Sequence, residues 1–188
     1  LHRRRHSFPT RRSSDLIDQP SRWPGGGSGI TLGYGSDIGA DPQALDNWKG
    51  VLTDAQISDL EEARGVTGRS AAHIAGRFAH IRVTKDQAMK VFTERTLPRW
   101  MAQTQKTFPG VELIPPDAAG ALVSIVFNRG PALNGPRRAE MLNIHEDIEK
   151  FARLTDAEAK AELPKLLKRI AIEIRKTNDT RFPLALRE

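Results

Sequence analysis

Residues Trp23 to Gly39 read WPGGGSGITLGYGSDIG, and the reading of this stretch decides the fold. From Ile30 onward, large residues (Ile30, Leu32, Tyr34) alternate with small or polar ones (Thr31, Gly33, Gly35). Alternation of period two with β-branched and aromatic residues predicts a short strand with one face buried. The opposite face carries the Thr31 hydroxyl and two positions without side chains, and the same parity arrives at Asp37. Glycine on a strand face lets a ligand approach the backbone, so this face is expected to floor a substrate cleft. Gly33, Tyr34 and Gly35 are the expected substrate-binding residues, and Thr31 and Asp37 the expected chemical ones.

The residues alone leave Asp37 with two readings. A carboxylate beside a hydroxyl can hold and deprotonate a water, as an inverting glycosidase requires, provided a second, protonated carboxyl serves the leaving group. Alternatively, Asp37 caps a turn before Gly39, and Thr31 is an ordinary strand residue. The glycines before the strand also admit a flexible-linker reading. The pattern G-x-G-x-x-x-G lacks a following Lys-Ser/Thr, which argues against a phosphate-binding loop.

At 188 residues the chain fits one domain able to bury a core. It has no cysteine, hence no disulfide, thiol nucleophile or thiolate metal site. No apolar run approaches the length of a membrane span. The net charge of +6 is misleading. Within Leu1 to Leu16, Arg3, Arg4, Arg5, Arg11 and Arg12 stand against Asp15, so +4 of the charge belongs there and +2 to the other 172 residues. Nucleic acid is therefore not an expected partner. Ser7 to Leu16, SFPTRRSSDL, also reads as one frame of translated sequencing-adapter DNA. Residues 1–16 are thus expected to be a foreign, disordered tail, with the natural N-terminus and any signal peptide lost.

Helix signals fill the rest of the chain. Asp41-Pro42 predicts a short helix ending near Trp48 to Gly50. Thr53 with Gln56, Thr84 with Gln87 and Thr155 with Glu158 are capping boxes, and Gly65 is a helix stop. Arg69 to Ala79 reads as helical. A helix from Thr84 to about Thr107 contains Pro98, which predicts a kink or break near Thr96. Pro115-Pro116-Asp117 opens the most apolar helix, Ala118 to Asn128, expected to be buried on all sides. Arg137 to Ala152 is amphipathic, and a last helix is interrupted by Pro164. Asn128 and Arg129, closing the apolar helix before Gly130, are placed to face a cleft as further substrate-binding residues. His73, His80 and His145 lack pairing at metal-ligand spacing, so no metal or cofactor is expected. The predicted class is mostly α, of α+β type. Its small N-terminal lobe spans about 17–83, its connecting helix about 85–107 and its helical lobe about 108–188.

Three stretches taken together resemble one family. SGITLGYGSDIG looks like the hairpin strand with the active-site threonine of phage-type lysozymes and pesticin-like bacterial muramidases. VTKDQAMKVFTERT (Val83 to Thr96) is similar to the start of the helix joining their lobes. GALVSIVFNRG (Gly120 to Gly130) resembles the central helix of their C-terminal lobe. The resemblance implies a monomeric, bacteriolytic hydrolase acting at the bacterial cell wall. Its partner would be the glycan strands of peptidoglycan, cut at the β-1,4 bond between N-acetylmuramic acid and N-acetylglucosamine.

Such enzymes use a Glu general acid, an Asp that activates water and a Thr that helps hold it. Thr31 matches the threonine. In the phage form the aspartate precedes the threonine, where this chain has Gly25; in the pesticin-like form it follows, and Asp37 fits. The Glu should lie on a helix within about Leu1 to Leu16, yet the sequence has no Glu before Glu61. The general acid is therefore expected to be missing, with Asp18 the nearest substitute. A catalytically inactive glycan-binding or structural protein, or a lytic transglycosylase relying on a single Glu, are the alternatives.

Overall fold

The computed structural model describes residues 19–135 and 138–181, the side chains of 19 and 177–181 excepted. The readings of residues 1–16, Asp18, Arg137 and the tail from Phe182 lie outside the described residues. The fold is α+β and mostly helical. The chain divides into two compact units, Leu1–Leu97 and Pro98–Glu188.

The first unit holds the strands. β1 (Gln19–Pro20) pairs antiparallel with β4 (Arg82–Val83), and β2 (Thr31–Leu32) pairs antiparallel with β3 (Ser36–Asp37). A bridge between Arg22 and Thr31 ties the segment after β1 to β2. A two-stranded hairpin is at best marginal by itself. Here Ile30, Leu32 and Ile38 anchor it, each at most 1% exposed. Each such burial is worth about 2 kcal/mol. They join a core with Leu45, Trp48, Leu60, Phe78, Ile81, Val83 and Val91. β4 is two residues long and carries no alternation that would announce it in the sequence.

Both capping boxes of this unit are formed. Thr53 caps α1 (Asp54–Glu61) and Thr84 caps α3 (Lys85–Val91), each through a reciprocal pair of bonds with the glutamine three residues on. Gly65, at φ +71°, reverses the chain after α1. α2 (Gly68–Ile74) passes into a 3-10 turn, Ala75–Phe78. Asp41-Pro42 opens no α-helix. Asp41 caps a turn through the Gln43 amide at 3.0 Å, and the chain then forms a 3-10 turn, Asp46–Trp48.

Where Pro98 predicts a kink or break, near Thr96, the regular α-helical pattern is interrupted. A π turn, Phe92–Thr96, precedes α4 (Leu97–Thr107), with the Leu97 amide reaching back to the Phe92 carbonyl. Proline lacks the amide that Glu94 would receive in a regular helix, and the wide turn absorbs that mismatch.

The second unit packs α5 (Pro116–Arg129), α6 (Ala139–Phe151) and α7 (Asp156–Arg181) around Phe108, Leu122, Val126, Met141, Ile144, Ile148, Leu166 and Ile170. α5 is not buried on all sides. Leu122 and Val126 are its buried residues, while Asp117, Gly120, Ser124 and Asn128 form an exposed stripe. These four recur at helical spacing, a narrow polar face that the high apolar content concealed. α7 runs on through Pro164. Leu163, Leu166 and Ile170 around it pack into the core, offsetting the bond that the proline removes.

Candidate active site on the β2–β3 hairpin

The position of Thr31 follows from its backbone. Its amide donates to the Arg22 carbonyl at 2.8 Å, and its carbonyl accepts from the Arg22 amide at 3.1 Å. Both groups therefore point away from β3, towards the segment after β1. The ladder bond between the hairpin strands falls one residue earlier, from the Ile38 amide to the Ile30 carbonyl at 2.8 Å. Thr31 and Asp37 are thus directly opposite in register but exchange no backbone bonds. In antiparallel sheets such pairs bring their side chains closest, on one face. Sequence parity placed the two residues on a common face, and the register puts them side by side. Both are half-buried.

The Asp37 carboxylate is also a structural node. Oδ1 accepts the amides of Gly29 at 3.0 Å, Gly39 at 3.1 Å and Ala40 at 2.9 Å, while Oδ2 shares the Gly29 amide at 3.0 Å. The turn-capping reading is therefore correct as far as it goes. Oδ1 has its acceptor capacity engaged, and among the described residues Oδ2 holds one shared N–H. The Thr31 hydroxyl donates to the Gly29 carbonyl at 3.3 Å, leaving its lone pairs to accept. A carboxylate oxygen and a hydroxyl on one face are the groups that would accept a proton from a water and orient it.

Two glycines that the sequence reading did not single out build this arrangement. A Cβ on Gly29 would lie 2.5 Å from Gly39 Cα and 2.6 Å from Asp37 Oδ1; one on Gly39 would lie 2.1 Å from the Val66 carbonyl oxygen. The base of the hairpin is therefore closed by backbone against backbone. The bridge between Gly29 and Thr67 and the bond from the Gly68 amide to the Ser28 carbonyl at 2.9 Å continue that seam. The only signal in the sequence was their spacing around Asp37.

The expected glycine floor needs correction. The strand ends at Leu32, and Gly33, Tyr34 and Gly35 form the turn. Gly33, at φ +50°, faces inwards, where a Cβ would lie 3.0 Å from Ala88 Cβ and 3.1 Å from the Trp48 ring. Its would-be side-chain direction is packed against the core of its own unit, and the residue is half-buried. Gly35, at φ +83°, is exposed. Tyr34, expected on the buried face, is 42% exposed because it sits at the turn and not on the strand. The glycines from 25 to 27 are not a linker either. The Trp23 indole N–H donates to the Ser28 carbonyl at 3.0 Å and closes them into a loop against the core.

Asn128 and Arg129 belong to the second unit, at the end of α5. The Asn128 amide nitrogen donates back to the Ser124 carbonyl at 2.8 Å, and the Arg129 carbonyl accepts from the Arg138 guanidinium. Among the described residues no group of three or more His, Cys, Asp or Glu could hold a metal ion, and no helix is long and apolar enough to cross a membrane. The chain matches no family model and no curated protein.

Proposed function

We propose that this chain carries the water-handling half of a peptidoglycan muramidase. The reaction is inverting hydrolysis of the β-1,4 bond between N-acetylmuramic acid and N-acetylglucosamine. Asp37 Oδ2 accepts a proton from water, and the Thr31 hydroxyl positions that water. One observation supports the reading: Thr31 and Asp37 face each other as a non-hydrogen-bonded pair, and among the described residues one carboxylate oxygen holds a single shared N–H. The amides on Oδ1 hold the carboxylate in place before substrate arrives, which lowers the cost of orienting it.

The chain holds no Glu before Glu61, so the leaving-group proton has no donor of the expected kind ahead of the hairpin. Without a general acid the reaction loses roughly 10²–10⁴-fold. The test is a chimera in which residues 1–16 are replaced by the Glu-bearing helix of a pesticin-like muramidase. The 188-residue chain should clear cell walls poorly, and the chimera should clear them and release reducing ends. An anhydro sugar product would identify a lytic transglycosylase instead. A second reading, a non-catalytic glycan-binding protein on the same fold, draws on the full engagement of Asp37 Oδ1; it predicts that the chimera binds cell walls without cutting them.

A further inference from the structure

The exposure of Tyr34 is unusual for the largest residue of its hairpin. Leu32 and Ile38 nearby are buried, yet the Tyr34 ring stands 42% exposed. It is not loose. Its ring meets Phe92 edge to face, with centroids 5.9 Å apart and planes at 62°. Its backbone is set by glycines on both sides with positive φ, one of them wedged against Trp48 and Ala88. One edge of the ring is therefore held by Phe92 while much of its surface faces solvent. Met89, on α3 three residues before Phe92, is also 43% exposed.

A tyrosine held in this way loses little conformational freedom when a ligand covers it, and it presents an apolar face with a polar tip. That combination suits the C–H faces of a pyranose ring, whose rim is polar. At ~3.3 Å per residue, the turn apex lies roughly 7–10 Å beyond the Thr31–Asp37 pair. We propose that Tyr34 is the stacking platform for a sugar ring of the glycan strand, next along from the ring that meets Thr31 and Asp37. This rests on the muramidase reading for the identity of the glycan, but the platform itself needs no catalysis.

Tyr34 is the chain's single tyrosine, so fluorotyrosine incorporation gives one fluorine NMR signal that reports on this ring alone. The full chain is titrated with a soluble N-acetylglucosamine oligomer, with calorimetry in parallel. The signal should shift along the same isotherm that calorimetry measures. Tyr34→Phe should keep the affinity, and Tyr34→Ala should weaken it by about tenfold. Binding by calorimetry with an unmoved fluorine signal and an unaffected Tyr34→Ala variant overturns the platform and leaves the muramidase reading intact. Absence of any glycan binding overturns the platform too. A shifting signal in a protein whose chimera never cuts glycan supports the platform and sinks the hydrolase.

Discussion

The Gly29 amide donates to both carboxylate oxygens of Asp37, at 3.0 Å each, across the base of the hairpin. This contact exists because residue 29 has no side chain. A methyl group there would meet Asp37 Oδ1 and Gly39 Cα well inside contact distance.

Gly29→Ala is therefore expected to destabilise the fold by about 2–3 kcal/mol, through overpacking against backbone that cannot withdraw. Gly27→Ala, in the same glycine-rich stretch but with open space around it, should stay within about 0.5 kcal/mol. Denaturant unfolding of the two variants checks the contrast. Equal effects would mean that the close approach is not a constraint.

Thr84→Ala should cost about 1 kcal/mol. The Thr84 hydroxyl accepts the Gln87 amide at 3.2 Å, and the Gln87 side chain returns to the Thr84 amide at 2.9 Å. Removing the hydroxyl leaves one amide of the first turn of α3 without its partner. Thermal unfolding reads the loss, and Thr84→Ser should restore most of it.

Glu162 and Arg169 on α7 give a pH prediction. Hydrogen bonds from Arg169, then from Lys165, hold the Glu162 carboxyl below its ordinary value of 4.5. A carboxyl depressed in the folded state stabilises above its unfolded pKa, and that contribution disappears as pH falls through the folded value. Wild type should therefore exceed Glu162→Gln in melting temperature at pH 6, and the gap should close towards pH 3. The Glu162 side chain is half-buried and still reached by solvent, so the gap should be small and shrink further in salt. A gap that widens in acid would contradict the assignment.

What could be read from the sequence was local. The boxes at Thr53 and Thr84 form as spaced, since each joins residues one helical turn apart. Strand parity assigns Thr31 and Asp37 to a common face, while their direct pairing comes from the hairpin register. What the sequence concealed depends on where strands end and what lies opposite. Tyr34 continued the alternation but falls in a turn, and Gly33 looked bare until Trp48 and Ala88 came to rest on it. The acceptors' partners at Asp37 include Gly29, eight residues back, brought near only by the hairpin register. α5 looked wholly apolar because its exposed stripe is only four residues, a helical turn apart in sequence, one of them glycine.

Asp37 is proposed to handle water as well as to shape its turn. The most direct test is the cell-wall hydrolysis rate of the Glu-bearing chimera against the same chimera carrying Asp37→Asn, measured well below both melting temperatures. Asparagine keeps an oxygen for the amides of Gly39 and Ala40 but cannot take a proton from water. The account predicts a loss of at least roughly 10²-fold while the protein remains folded. Activity retained within about threefold would show that the carboxylate only caps its turn, and the proposed chemistry would be wrong.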